Sequence, residues 1–318
     1  MASPTGADMQ PLTELLEHYL SVSTQITKTT TREHYWRSLR QFAAYLDREP
    51  TTLDLTDDNL CGFMLATVNS GHAHGTANQR MKQLRALWEW AARRRMVEQF
   101  PTFRKLVEPE PDPVAWKPEQ LKTLFDACSR QVGWIGPHKA ATWWLSLHWW
   151  LYDSGERASA TFSLERDWVD LEGCTVRVPS RVRKGGRKSM TYRIRPQTAN
   201  LFREMMRTPS DSGLMWDRSW KDWQSFYKRY RKVVTDAGLP WVTRRTGLHK
   251  MRVTVFTMIE ANGGNATLFA RHANRSTTEA YIDRSIMAAV SNGQWPLDAV
   301  RPDSPPPGFW RRLWGRAG

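Results

Sequence analysis

The chain has 318 residues, 40% hydrophobic and 25% charged, ordinary proportions for a globular protein with apolar material for two domains, each with its own core. Lysine and arginine number 46 against 32 aspartates and glutamates, and the formal charge of +14 points to a polyanionic partner, nucleic acid first and an anionic membrane surface second. No apolar run approaches the roughly 18 residues of a membrane span, the polar start carries no signal core, and Cys61, Cys128 and Cys174 form no CxxC pair, so neither a membrane span, a secretory leader, a disulfide framework nor a zinc site is expected.

Residues 1–10 read as a flexible N-terminus, and a short helix follows near Leu12 to Leu20. From Thr31 to Arg48, Tyr35, Trp36, Leu39, Phe42, Ala43 and Leu46 recur at three- and four-residue steps, the mark of a helix with one buried face, which Pro50 ends. Thr56 before Asp57 and Asp58 offers an N-cap with acids in the first turn, opening a helix to about Val68. After a loop marked by Gly71 and Gly75, Ala77, Met81, Leu84, Trp88 and Ala91 form another stripe, ringed by Arg80, Lys82 and Arg85. Such a basic face is either solvated or set against phosphates. Residues 11–107 are therefore expected to form a small helical domain.

Three prolines in Glu108-Pro109-Glu110-Pro111-Asp112-Pro113 remove backbone donors and restrict the residues before them, so residues 108–117 read as an extended linker between two domains. Lys117-Pro118-Glu119-Gln120 starts a helix with Leu121, Leu124, Phe125 and Cys128 on its apolar face. The run from Trp143 to Tyr152 is too short to cross a membrane and reads as a buried helix, broken at Asp153-Ser154-Gly155-Glu156-Arg157. Alternation in Cys174 to Val178 and Met190 to Ile194 predicts two short strands, joined by the basic turn Arg183-Lys184-Gly185-Gly186-Arg187-Lys188. Helices are expected from Thr198 to Met206 and from Trp220 to Ala237. The tail, residues 291–318, carries Pro305-Pro306-Pro307 and a basic aromatic end from Phe309 to Trp314.

Between these lies Thr246-Gly247-Leu248-His249-Lys250-Met251-Arg252, where a histidine and an arginine three residues apart share one face if the segment is helical. Ala270-Arg271-His272 and Tyr281 follow. Together these side chains could position a phenol, deprotonate it and aim it at a phosphate held by cations.

The order Arg157, Lys184, His249, Arg252, His272 and Tyr281, with nine residues from His272 to Tyr281, resembles the catalytic set of the tyrosine recombinases of the phage integrase type. The resemblance implies a mainly α fold: a helical, SAM-like core-binding domain at 11–107 for DNA, the linker, and an α+β catalytic domain with a small β-hairpin or sheet at 118–290. It implies a site-specific DNA recombinase or integrase that cleaves and rejoins DNA through a 3′-phosphotyrosyl intermediate. Because a phosphodiester is exchanged for a phosphodiester, no metal, ATP or other cofactor is called for. Tyr281 would be the nucleophile, Arg157 and Arg252 the pair on the non-bridging oxygens, and Lys184 the general acid for the departing 5′-oxygen. His249 would handle the phenolic proton and His272 would donate to the phosphate. Arg80, Lys82, Arg85, Arg187, Arg244 and Arg245 are the candidates for further DNA contact. The implied partners are double-stranded DNA and a homotetramer on two sites, with no membrane, in a cytoplasmic, nucleoid-associated setting.

The chain departs from the family pattern in three places. Ala160 stands where an acid usually follows the first arginine, Ala270-Arg271-His272 replaces Leu-Gly-His, and Lys250 replaces an acid. These departures keep open an impaired relative that only binds DNA. A type IB topoisomerase, with similar phosphotyrosyl chemistry, is the other alternative.

Overall fold

The computed structural model describes residues 9–109, 112–183, 188–217, 220, 222–241 and 247–291. The chain divides into two compact units, residues 1–110 and 111–318. Of the start expected to be flexible, residues 1–10, and of the tail, residues 291–318, residues 1–8 and 292–318 lie outside the described residues; Gln10 is instead held by hydrogen bonds with Thr52, and Ser291 ends a helix.

The first unit is helical: α1 (Leu12–Val22), α2 (Thr29–Leu46), α3 (Asp57–Asn69) and α4 (His74–Arg93). Leu12, Leu16, Leu39, Phe42, Leu60, Leu84 and Trp88 are buried, so the apolar stripes of the four helices face one core. The Thr56 hydroxyl accepts from the backbone N–H of Asn59, as the N-cap reading required. Helix α2 stops three residues before Pro50, at Asp47, whose left-handed φ of 54° closes the helix. Asn78 on α4 exchanges two hydrogen bonds with the backbone of Leu106, both 2.9 Å, and donates to the Glu108 carboxylate at 2.7 Å, which keeps the start of the linker on this unit.

The second unit is built around α6 (Ala140–Ser154), which packs against α5 (Pro118–Ser129), α8 (Pro196–Met206) and α10 (Leu248–Ala261). Buried on all sides, α6 carries Trp143, Trp144, Trp149 and Trp150 into the core, as the tryptophan-rich run predicted. Its buried serine and histidine are hydrogen-bonded, whereas the Trp149 indole nitrogen has no hydrogen-bond partner among the described residues. Ser146 accepts from the Trp216 indole at 2.9 Å, and His148 bonds the carbonyl of Trp144 at 2.7 Å and the Tyr230 hydroxyl at 3.2 Å.

The two predicted strands are present as β4 (Thr175–Val178) and β5 (Met190–Arg193), antiparallel with Val176 opposite Tyr192. The sequence reading missed their third partner, β3 (Val169–Asp170), and the two-residue hairpin of β1 (Trp134–Ile135) and β2 (His138–Lys139). Two residues are too few to show alternation. The remaining helices are α7 (Ala158–Thr161), α9 (Trp223–Asp236), α11 (Ala266–Ala270), α12 (Arg275–Glu279) and α13 (Arg284–Ser291). The chain enters this unit on α10 and its neighbours: the N–H of Trp116 donates to Thr254 Oγ1 at 2.8 Å and that of Ala115 to Asp283 at 2.9 Å.

Candidate active site

The break after α6 supplies the first functional side chain. Gly155 takes the left-handed conformation (φ 57°) that ends the helix, and a Cβ there would lie 3.0 Å from the Phe256 ring, so glycine suits the position on both counts. The chain turns, and Arg157 becomes the residue capping α7. Helix α10 brings the second set. His249 and Arg252 lie on it one turn apart, as their spacing predicted, His249 exposed and Arg252 2% exposed.

Arg252 is fixed from two directions. One Nη donates to the carbonyl of Gly155 at 2.5 Å and the other to Nε2 of His272 at 3.0 Å, while its buried Nε has no partner. Burial, with the charge of Arg157 adding to it, pulls its pKa down to about 10, so it stays cationic at neutral pH. A guanidinium has no acceptor, so Nε2 of His272 must be the accepting nitrogen, and Nδ1–H donates to Thr278 Oγ1 at 2.9 Å. Burial first, then the charges of Arg252, Arg157 and Arg183, hold His272 down to about 4, neutral in this tautomer.

Tyr281 sits over this group. Its ring centroid is 5.4 Å from that of His249 and 5.9 Å from that of His272, and the Arg252 guanidinium carbon lies 5.0 Å from it. Burial raises the phenol's pKa, but the charges of Arg252 and Arg157 more than reverse this and leave it below its ordinary value. The segment is fastened to α10 through Thr257, whose Oγ1 donates to the Tyr281 carbonyl at 3.3 Å and accepts from the N–H of Asp283 at 2.9 Å.

Thus Arg157, His249, Arg252, His272 and Tyr281 are gathered round one place, from elements up to 124 positions apart in the chain (281 minus 157). Lys184 lies outside the described residues, as do Arg187, Arg244 and Arg245. In the first unit Lys82 is exposed, whereas Arg80 bonds Thr67 and His72, and Arg85 bonds Glu89 and the carbonyl of Phe103. Among the described residues no group of three or more His, Cys, Asp or Glu could hold a metal ion, and no helix is long and apolar enough to cross a membrane.

Sequence reading passed over Glu156, Arg183 and Thr278. Glu156 is 1% exposed, and its carboxylate accepts from Arg183 Nε at 2.7 Å, the Tyr192 hydroxyl at 2.6 Å and the backbone N–H of Arg157 at 3.1 Å. It brings negative charge beneath the site although position 160 is a buried alanine. An acid in contact with Arg157 in the chain was the available signal. Thr278, which holds His272, carries none. Lys250, the third departure, lies with its ammonium 3.8 Å above the centre of the Trp116 ring, a cation–π contact at the chain's entry to this unit.

No family model matches the sequence, and no curated protein matches it. Solved structures do. The Tn1549 transposon integrase in complex with circular intermediate DNA superposes with a TM-score of 0.67 at 16% identity, covering 90% of this chain and 100% of that one. The XerH site-specific recombinase bound to a palindromic difH substrate gives 0.65 at 14%, covering 89% and 84%. A lambda integrase dimer bound to a COC′ core site gives 0.62 at 14%, covering 87% and 79%. The chain therefore has the fold of the tyrosine recombinases, mostly helical with a small antiparallel sheet, as the resemblance implied.

Proposed function

We propose that the chain is a DNA strand transferase that cleaves and rejoins duplex DNA at specific sites through Tyr281. The observation that carries this reading is the phenol itself, held below its ordinary pKa by two arginines and set beside two histidines. Burial without a neighbouring cation raises a phenol's pKa, as it does first of all for Tyr230 in the core.

The chemistry follows from the placement. Arg157 and Arg252 take the non-bridging oxygens of one phosphodiester, whose charge and planar geometry suit guanidinium donors. The Tyr281 oxygen attacks phosphorus and its proton passes to His249. The bond to the 5′-oxygen breaks, and that oxygen takes a proton from Lys184. The product is a 3′-phosphotyrosyl ester and a 5′-hydroxyl, and the reverse attack by a 5′-hydroxyl restores DNA and tyrosine. The bond count is unchanged at each step, so neither ATP nor metal is needed to balance it. When the anion enters, Arg252 transfers a donor from His272 to phosphate, and the imidazole gains a proton and becomes a donor itself. In this reading the first unit is the core-binding domain, double-stranded DNA is the partner, and exchange takes place in a tetramer on two sites.

The test is incubation with nicked suicide duplexes followed by denaturing electrophoresis. A covalent adduct is expected from the wild type and none from Tyr281→Phe, with DNA binding retained. An adduct formed by Tyr281→Phe, or none from the wild type on a tightly bound site, refutes the assignment. The second outcome would favour a DNA-binding relative without cleavage.

A further inference from the structure

We propose that Arg271, together with Arg183 and Lys188, forms a second phosphate subsite beside Tyr281, for the backbone phosphodiester next to the one under attack. The proposal rests on the DNA-cleaving reading above and adds a set of contacts that the attacked phosphate does not need.

The first observation is conformational. Arg271 follows α11 with φ 50° and ψ 42°, the left-handed position that closes a helix. Glycine fills that position without strain, whereas any residue with a Cβ is disfavoured there. The cap explains the conformation and leaves the arginine unexplained. Asp47, Arg95 and Cys174 also hold positive φ, so the conformation bears on the site only through where the Arg271 side chain goes.

The second observation is where the guanidinium goes. Arg271 Nη1 lies 3.4 Å from the carbonyl of Ser189, and Arg183 Nη1 donates to the carbonyl of Lys188 at 3.2 Å. Two guanidinium groups from distant parts of the chain thus lean on consecutive carbonyls at the start of β5. The contact of Arg271 is too long to be its purpose. Arg183 is rigidly held, its side chain 11% exposed and its Nε on Glu156.

The third is the space they enclose. A cavity of about 860 Å³ is lined by Arg157, Arg183, Lys188, Arg271 and His272, with Asn265 and Thr267 among the other lining residues and no carboxylate on its wall among the described residues. Arg183 has Glu156 as its counterion, but a single phosphodiester between Arg157 and Arg252 gives Lys188 and Arg271 no anion of their own. Concentrated positive charge in a concave wall selects an anion, and beside a scissile phosphodiester the nearest one is the next phosphate of the same strand.

The test uses the full chain, a short mixed-sequence duplex and binding isotherms across a range of salt. Arg271→Gly removes the contact and gives the cap the residue it prefers. The plot of log affinity against log salt should become shallower by about 1, and affinity at moderate salt should fall roughly threefold to tenfold. The melting temperature should stay at or above that of the wild type, an outcome a merely structural arginine would not give. Arg271→Lys should restore most of the slope. An unchanged slope in Arg271→Gly, or a loss of binding matched by a loss of melting temperature, overturns the subsite. The two readings separate cleanly: adduct formation by the wild type with an unchanged slope in Arg271→Gly sinks the subsite alone. Absence of adduct with the slope reduced sinks the cleavage reading and leaves the anion site standing.

Discussion

Replacing Glu156 by glutamine keeps the shape of the side chain and removes a charge that several cations depend on. The carboxylate is 1% exposed and accepts three hydrogen bonds, from Arg183, Tyr192 and the backbone of Arg157, and its field reaches Arg252. Truncating one partner of a buried ion pair costs about 3–5 kcal/mol. Glutamine retains part of the hydrogen bonding, so a loss of about 2–3 kcal/mol is expected, chiefly from two charge-assisted bonds becoming neutral ones and from Arg183, 11% exposed, left beside Arg157 without a counterion. Arg183→Met should cost a similar amount, because it leaves the carboxylate buried and less satisfied. The double variant Glu156→Gln/Arg183→Met should recover about 1.5–3 kcal/mol relative to the sum of the singles. Urea unfolding followed by near-ultraviolet circular dichroism of the tryptophan-rich core measures the transition of the second unit. Additivity within about 0.5 kcal/mol would show that the pair is not coupled and would refute the account of how the site's cations are held.

Thr278→Val should unpin His272 by removing the acceptor for its Nδ1–H, and should leave the Thr267 hydroxyl, 2.9 Å from the same oxygen, without that partner. Single-turnover adduct formation on a suicide duplex is expected to slow by about tenfold to a hundredfold while stability falls by about 1–2 kcal/mol; an unchanged rate would remove Thr278 from the site. The pH dependence of folding follows from His148, which burial pushes down from 6.5 to about 4. The folded state keeps the imidazole neutral, so between these values the unfolded chain binds more protons and stability falls as pH falls through the window. The contribution is about 3 kcal/mol by the lower end, and His148→Gln should flatten the slope of stability between pH 6.5 and 4. An equal slope in that variant would mean that other groups govern acid sensitivity.

Much of this protein was legible in the chain because the signals are local. The stripes of α2 and α4, the cap at Thr56, the tryptophan run of α6 and the alternation of β4 and β5 each lie within a dozen or so residues, so periodicity alone places them. The three-residue spacing of His249 and Arg252 placed both on one face if the segment was helical, and α10 is that helix. The strands β1 to β3 escaped because two residues carry no period.

The site divides in the same way. The residue types and their order were in the sequence, and so was the resemblance they carry. What the sequence could not hold is the convergence: that Gly155 offers its carbonyl to Arg252, that Nε2 of His272 accepts from the same arginine, and that Tyr281 is held low by arginines more than a hundred and about thirty positions upstream. Nor could it say that Glu156 stands beneath the cations where position 160 has no acid, or that Arg271 holds a left-handed turn at the mouth of a cationic cavity. Hydrogen-bond direction, burial and the sum of nearby charges depend on distances in space, and only the packing of α10 against α6 and of the tyrosine segment against α10 sets them.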